Sequence, residues 1–273
     1  MGYELTGLDG KVAVVTGAGR MRSIGRSMAT ELARAGCDVV VTGTGRGNFT
    51  EAERAAGWGD IDAVADEIRG FGRRAIAAKL DVSDADAVDA LAARVVDELG
   101  RVDILVNNAA PGRAADRKPT VDVDRRDWHT VIDVNLNGAL YTSQAFARAM
   151  LALGKGGSIV NISSVGGKIS GPQTAAYSAS KAGLQSLTAT MAKELGRDGI
   201  RVNAICPGIV DTGRLDDLRR AGRFDEVVDQ NIPLGRAGTG LDIAAVVVFL
   251  CSDQGSWVTG QSWNVDGGML TIR

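Results

Sequence analysis

Short runs of apolar, β-branched residues alternate along the whole chain with longer stretches whose apolar positions recur at helical spacing. The runs at 12–16, 39–42, 75–80, 104–107, 158–162, 201–205 and 262–265 read as strands. The helical patterns cover about 24–35, 60–71, 84–99, 124–152, 175–197 and 241–252. Strands that alternate with helices predict βαβ units and an α/β fold. That fold is a doubly wound, mostly parallel sheet of about seven strands, with right-handed crossovers and helices on both faces. No Pro/Ser-rich linker, low-complexity tract or internal repeat divides the chain, so residues 1–273 read as one domain.

Three stretches break the pattern: 43–59, 110–124 and 211–233. Long connections in a compact α/β unit are commonly functional loops or lids. For 43–59, a tolerated surface insertion explains the sequence equally well, and Trp58 within it reads either as a lid anchor or as ordinary packing.

Composition sharpens this picture in a few places. Hydrophobic residues make up 45% of the chain and aromatics only 4%, so the core is expected to rest on Val, Ile, Leu and Ala. A net charge of −2 gives no global field for a polyanion and argues against nucleic acid as a partner. Cys37, Cys206 and Cys251 are far apart and have no cluster of histidines. They read as free core thiols, with no disulfide or metal site expected. There is neither an apolar leader nor a run of about 18 apolar residues, which predicts a cytoplasmic protein without a membrane partner.

The candidate chemistry begins where the first strand runs into Gly17-Ala18-Gly19-Arg20-Met21-Arg22-Ser23-Ile24-Gly25 and then a helix. A glycine-rich turn at a helix N-terminus lets backbone N–H groups and the helix dipole face a pyrophosphate. Asp81 and Val82 at the end of the third strand, and Asn108, Ala109 and Ala110 after the fourth, are placed to line the same ligand. Open parallel sheets bind ligands at these carboxyl ends. Further on, Ser164 follows the fifth strand, and Tyr177 and Lys181 lie four apart on a helix, hence on one face. An ammonium beside a phenol favours the phenolate and makes a general acid/base, while the serine hydroxyl polarises a substrate oxygen.

Taken together in order, these motifs resemble the short-chain dehydrogenase/reductase family over nearly the whole chain. They are T-G-x-G-R…I-G (16–25), L-D-V (80–82), N-N-A-A (107–110), D-V-N-L-N-G (133–138), I-S-S (162–164), Y-S-A-S-K (177–181), N-A-I-C-P-G (203–208) and T-G-Q-S-W-N-V-D-G-G (259–268). The resemblance, which extends to 3-oxoacyl-acyl-carrier-protein reductase-like members, implies a single-domain Rossmann fold. It also implies a catalytic tetrad of Asn135, Ser164, Tyr177 and Lys181. Asn135 is then expected to hold a water in a proton relay to Lys181, and Lys181 to bond the nicotinamide ribose. Pro207, Gly208, Ile209 and Thr212 are expected to orient the nicotinamide. The implied reaction moves a hydride between NAD(P)(H) and a carbonyl/alcohol pair, such as a 3-oxoacyl thioester or another small ketone. A homotetramer is implied as well, with helices 124–152 and 175–197 at one interface and the C-terminal segment at another. The sole histidine, His129, reads as a surface or interface residue.

The chain departs from the family pattern in three ways. Its glycine turn is two residues longer, with Ser23 where a glycine is usual, and is similar to that of the enoyl-acyl-carrier-protein reductases. That raises reduction of a C=C bond as an alternative. In that branch the tyrosine and lysine stand seven apart, and seven past Tyr177 is Leu184, so carbonyl chemistry is the preferred reading. Ala110 replaces a common glycine. The second strand ends Thr42-Gly43-Thr44 with no acid before Glu51, while Arg20, Arg22 and Arg46 could meet a 2′-phosphate. NADP(H) is therefore favoured, with NAD(H) the second choice. The substrate is expected under 211–233, where Arg214, Arg219, Arg220 and Arg223 read as a solvated face or, alternatively, as a site for an anionic tail. A dinucleotide-binding sensor without turnover is the remaining alternative.

Overall fold

Strand β1 (Val12–Val15) shows why the sheet is covered on both faces. Successive side chains of a strand alternate sides, and all four of these are fully buried, Ala13 and Val15 in one core and Val12 and Val14 in the other. The computed structural model describes residues 4–46, 49–112 and 116–271. After β1 come α1 (Ile24–Arg34), β2 (Asp38–Gly43), α2 (Glu51–Ala55), α3 (Asp60–Gly70), β3 (Ala75–Lys79), α4 (Ala85–Leu99) and β4 (Ile104–Asn107). The chain continues through α5 (Arg125–Ile132), α6 (Gly138–Leu153), β5 (Gly157–Ile162), α7 (Ala175–Leu195) and β6 (Ile200–Pro207). It ends with α8 (Asp216–Arg220), α9 (Phe224–Asn231), α10 (Gly240–Cys251) and β7 (Ser262–Val265).

The seven strands form one parallel sheet in the order β3-β2-β1-β4-β5-β6-β7. One core joins it to α1, α3 and α10 through Met28, Leu32, Val64, Ile68 and Val247. The other joins it to α4, α6 and α7 through Val88, Leu91, Phe146, Met150 and Met191. From β3 the chain crosses back to pair β4 with β1, so the strand order reverses there and leaves a crevice at the carboxyl ends. The site lies around that crevice.

The sheet and its covering helices match the expectation from sequence, and three local differences have physical causes. Residues 43–59 contain α2, nucleated by a capping box in which Thr50 and Glu53 bond each other's backbone N–H. Residues 211–233 contain α8 and α9, the latter packed through Phe224 and Val228, with Ile232 just beyond it, into a small core. The expected helix 124–152 is interrupted by a π-helical segment, Asp133–Asn137, between α5 and α6. Cys37, Cys206 and Cys251 are buried free thiols, as the sequence suggests. Among the described residues no helix is long and apolar enough to cross a membrane.

Candidate active site

The glycine turn is built by close approach to β4. Gly17 has φ +68, and a Cβ there would lie 2.7 Å from the Ala109 Cα. A Cβ on Gly25 would lie 2.6 Å from the Gly17 carbonyl oxygen. The Asn108 side-chain amide donates to the carbonyls of Thr16 and Gly17 at 2.9 and 3.0 Å. The Thr16 hydroxyl accepts from the Asn108 and Ala109 N–H groups. Asn108 therefore acts by clamping the turn, its amide nitrogen already committed. Ser23 caps α1 by accepting from Arg26 N–H, so the helix N-terminus opens on the turn. These contacts bring backbone close to backbone around the turn, the arrangement a pyrophosphate cradle needs.

The two extra residues of the turn are held by the segment 43–59. The Glu53 carboxylate, 3% exposed, accepts from the Arg20 guanidinium and the Met21 N–H, and also from Thr50. Burial alone would raise its pKa, but the hydrogen bonds from Thr50, Arg20 and Met21 hold it below the usual carboxylate range. Trp58 Nε1 donates to the Gly19 carbonyl at 2.6 Å, and Arg26 stacks on the indole 4.9 Å from its centroid while bonding Met21 O. Trp58 is thus an anchor for the turn. Asp60 begins α3 at φ +56, an uncommon backbone for a non-glycine residue. A Cβ on Gly19 would run into its carboxylate, which also lies near Gly43.

The three arginines proposed for a 2′-phosphate have separate partners. Arg20 is forked onto Glu53, and Arg46 bonds Asp81 at 2.6 Å. Arg22 bonds Asp211 and Asp216 at 2.5 and 3.0 Å, which ties its guanidinium to the 211–233 segment. The Asp81 carboxylate is held by the Ser83 hydroxyl and N–H as well as by Arg46, which keeps its pKa low against burial. At the end of β2, Thr42 is buried with its hydroxyl unpartnered among the described residues, Gly43 is half-buried and Thr44 is exposed. Val82 is buried and Ala110 exposed.

Ser164 follows β5, and its Oγ accepts from the Gly166 N–H at 3.0 Å. A Cβ on Gly166 would sit 3.4 Å from both Ser164 Oγ and Tyr177 Cε1, so hydroxyl and phenol ring edge converge. Lys181, one turn beyond Tyr177 on α7, is 4% exposed, and its Nζ donates to Ile162 O at 2.8 Å. Burial, helped by the charge of Arg214, pulls this ammonium down to about 7. The Lys181 nitrogen stands 5.9 Å from the Tyr177 ring centroid. Two guanidiniums also approach this ring, Arg117 at 4.7 Å and Arg214 at 6.0 Å.

Asn135 lies in the π segment, 2% exposed, and its amide donates to Ser180 Oγ at 3.0 Å. Its Oδ1 has no partner among the described residues. A narrow cleft lined by Thr16, Asn107, Ala109, Asn135, Thr142 and Lys181 runs beside it. On the far side, β6 delivers Pro207 and Gly208, where a Cβ would lie 2.8 Å from Asp266 Cβ, and then Ile209 and buried Thr212.

A family model described as enoyl-(acyl carrier protein) reductase matches residues 17–270. The 3-oxoacyl-[acyl-carrier-protein] reductase of Synechocystis sp. is 40% identical over 267 residues, covering 97% of this chain and 99% of the relative. The chain belongs to the short-chain dehydrogenase/reductase family. Among solved structures it is similar to carveol dehydrogenase from Mycobacterium avium in complex with NAD. That match has TM-score 0.85 and 33% identity, over 96% of this chain and 98% of that one. A protein from Agrobacterium tumefaciens described as a 2-deoxy-D-gluconate 3-dehydrogenase, with bound NADP, matches with TM-score 0.82 and 36% identity. It covers 96% of this chain and 97% of that one.

For this short-chain dehydrogenase/reductase, sequence reasoning missed Glu53, Asp60 and Arg117. Thr50-x-x-Glu53 carries a capping-box signature that could have revealed the first. Nothing local marks the other two, which reach the site only through the fold. Of the four arginines in 211–233, only Arg214 is brought to Tyr177. Arg219 pairs with Asp211 and stacks on Phe224. His129 is exposed on α5.

Proposed function

We propose that Asn135, Ser164, Tyr177 and Lys181 carry the reaction of an NAD(P)(H)-dependent oxidoreductase that interconverts a carbonyl and a secondary alcohol. The observation that carries this reading is the convergence of Tyr177, Ser164 and buried Lys181 at the carboxyl end of β5, beside the glycine cradle. Residues 17–25, 42–44, 81–82, 108–110 and 207–212 would hold the dinucleotide, which when bound supplies or accepts the hydride. The Ser164 hydroxyl donates to the substrate oxygen, and Tyr177 Oη gives it a proton on reduction or takes one on oxidation. Arg117, Arg214 and the protonated form of Lys181 hold the phenol's surroundings positive, and Lys181 would bond the ribose. Asn135 Oδ1, buried and without a partner among the described residues, suits an ordered water in the relay. NADP(H) is the favoured cofactor and NAD(H) the second, supported by the solvent-facing guanidiniums of Arg20 and Arg46, 44% and 66% exposed.

The test is Tyr177→Phe with a ketone, 3-oxoacyl thioester and crotonyl thioester panel. Turnover should fall by at least about a thousandfold while dinucleotide binding persists. A variant that keeps its turnover refutes the assignment, and a signalling response that survives without turnover would favour a sensor. The longer turn and the family description favour a second reading, reduction of an enoyl C=C bond. The four-residue spacing of Tyr177 and Lys181 opposes it, and turnover of crotonyl thioester alone would establish it. The same reading takes the protein as a cytoplasmic homotetramer, with 211–233 as its substrate segment. A stable monomer by light scattering would remove the tetramer.

A further inference from the structure

Within the proposed oxidoreductase reading, the cations around Tyr177 narrow the substrate. Arg117, which follows Asp116, and Arg214, in the turn Gly213–Leu215, approach Tyr177 from distant parts of the sequence. Arg117 is largely covered, with 21% of its side chain exposed and Nε 3.7 Å from the buried Asp116 carboxylate. Arg214 donates to Pro111 O at 2.9 Å. Both guanidiniums lie over the phenol ring itself, with the Lys181 ammonium on the same ring. With a substrate oxygen at the Tyr177 hydroxyl, a charged substituent near the reacting carbon would come within reach of these two arginines. Guanidinium forks match carboxylates in geometry as well as charge. Arg219 is engaged elsewhere, which separates this pair from any extended basic face. The phosphate of a phosphopantetheine substrate, by contrast, lies a full pantetheine arm from its thioester carbonyl, too remote for groups stacked on the catalytic phenol.

We propose that Arg117 and Arg214 form a carboxylate-binding subsite, and that the substrate is a small oxo or hydroxy acid with its carboxylate close to the reacting carbon. The chemistry is a balanced reduction: the hydride goes to the carbonyl carbon, the C=O π pair takes the Tyr177 proton, and the dinucleotide leaves oxidised.

The experiment compares acetoacetate and levulinate with their methyl esters, using wild type, Arg214→Gln and Arg117→Gln loaded with dinucleotide. Wild type should prefer the acids by about tenfold or more in kcat/KM, chiefly through KM. Each substitution should bring that ratio toward one. A parallel arm measures thermal protection of the dinucleotide-loaded enzyme by malonate against malonamide. Arg214 is exposed, so its variant carries the test even if the Arg117 variant does not fold. Equal use of acids and esters, with no malonate protection, overturns the subsite and leaves the oxidoreductase reading intact. Malonate protection that Arg214→Gln abolishes, without turnover of any ketone, supports the subsite and removes the proposed reaction. Preference for a phosphopantetheine thioester over the free acids also overturns it.

Discussion

Glu53 grips both nitrogens of the Arg20 fork, with its two oxygens each 2.9 Å from a guanidinium nitrogen, and accepts from the Met21 backbone as well. The carboxylate is buried while the arginine keeps solvent on one side, which screens the pair. Glu53→Ala strands the Met21 and Thr50 donors and should cost about 1–3 kcal/mol in urea unfolding. Dinucleotide affinity should fall alongside. Unchanged stability would mean that water replaces the carboxylate without loss.

Asp60 and the arginines should pull cofactor choice in opposite directions. The Asp60 carboxylate lies against Gly19 and Gly43, where it would accept from a ribose hydroxyl and repel a 2′-phosphate. Asp60→Asn should raise NADPH affinity relative to NADH by about tenfold, whereas Arg20→Ala and Arg46→Ala should lower it. Fluorescence titration with both dinucleotides measures the ratio, and parallel changes in the two affinities would refute the assignment.

Lys181 should leave a signature in the pH dependence of stability. Burial first, and Arg214 second, bring its pKa from 10.5 to about 7, below the value of the unfolded chain. Between those values the unfolded state binds the extra proton, so this group's contribution is complete above about 10.5 and is lost as pH falls through 7. Inside the window the unfolding free energy should rise by up to about 1.4 kcal/mol per pH unit. Lys181→Met should flatten that rise, and an identical slope in the variant would contradict it.

Gly17→Ala combines a left-handed backbone with a collision at Ala109. The expected cost is about 1–3 kcal/mol, with dinucleotide binding abolished or severely weakened. Tight binding in this variant would show that the turn does not approach its ligand through Gly17.

The three thiols should resist modification in the native protein. Burial pushes Cys37 up to about 12 and Cys251 up to about 11, and raises Cys206 as well. A thiol reagent should label all three only after unfolding. Rapid native labelling would reveal local opening of the core.

The order of strands and helices was readable because apolar periodicity follows burial, as Val12 to Val15 illustrate. Tyr177, Lys181 and Ser164 are legible as candidates because each sits at a fixed offset from a strand end or on one helical face. The fates of Arg20, Arg22 and Arg46 are not, because their partners Glu53, Asp211 and Asp81 come from distant parts of the chain. The π segment was equally hidden, since Asp133–Asn137 continues the helical pattern without an interruption in sequence.

The lengthened turn and the α2 segment form a lock whose halves have no meaning apart. Gly19 O, Met21 N–H and the Arg20 fork are satisfied by Trp58 and Glu53. A chimera that imports the long turn without residues 50–58 would orphan those groups, and the reverse graft would leave the buried Glu53 with Thr50 but without its Arg20 and Met21 partners. Through descent, the two lengthenings should be gained or lost together, as a single heritable character.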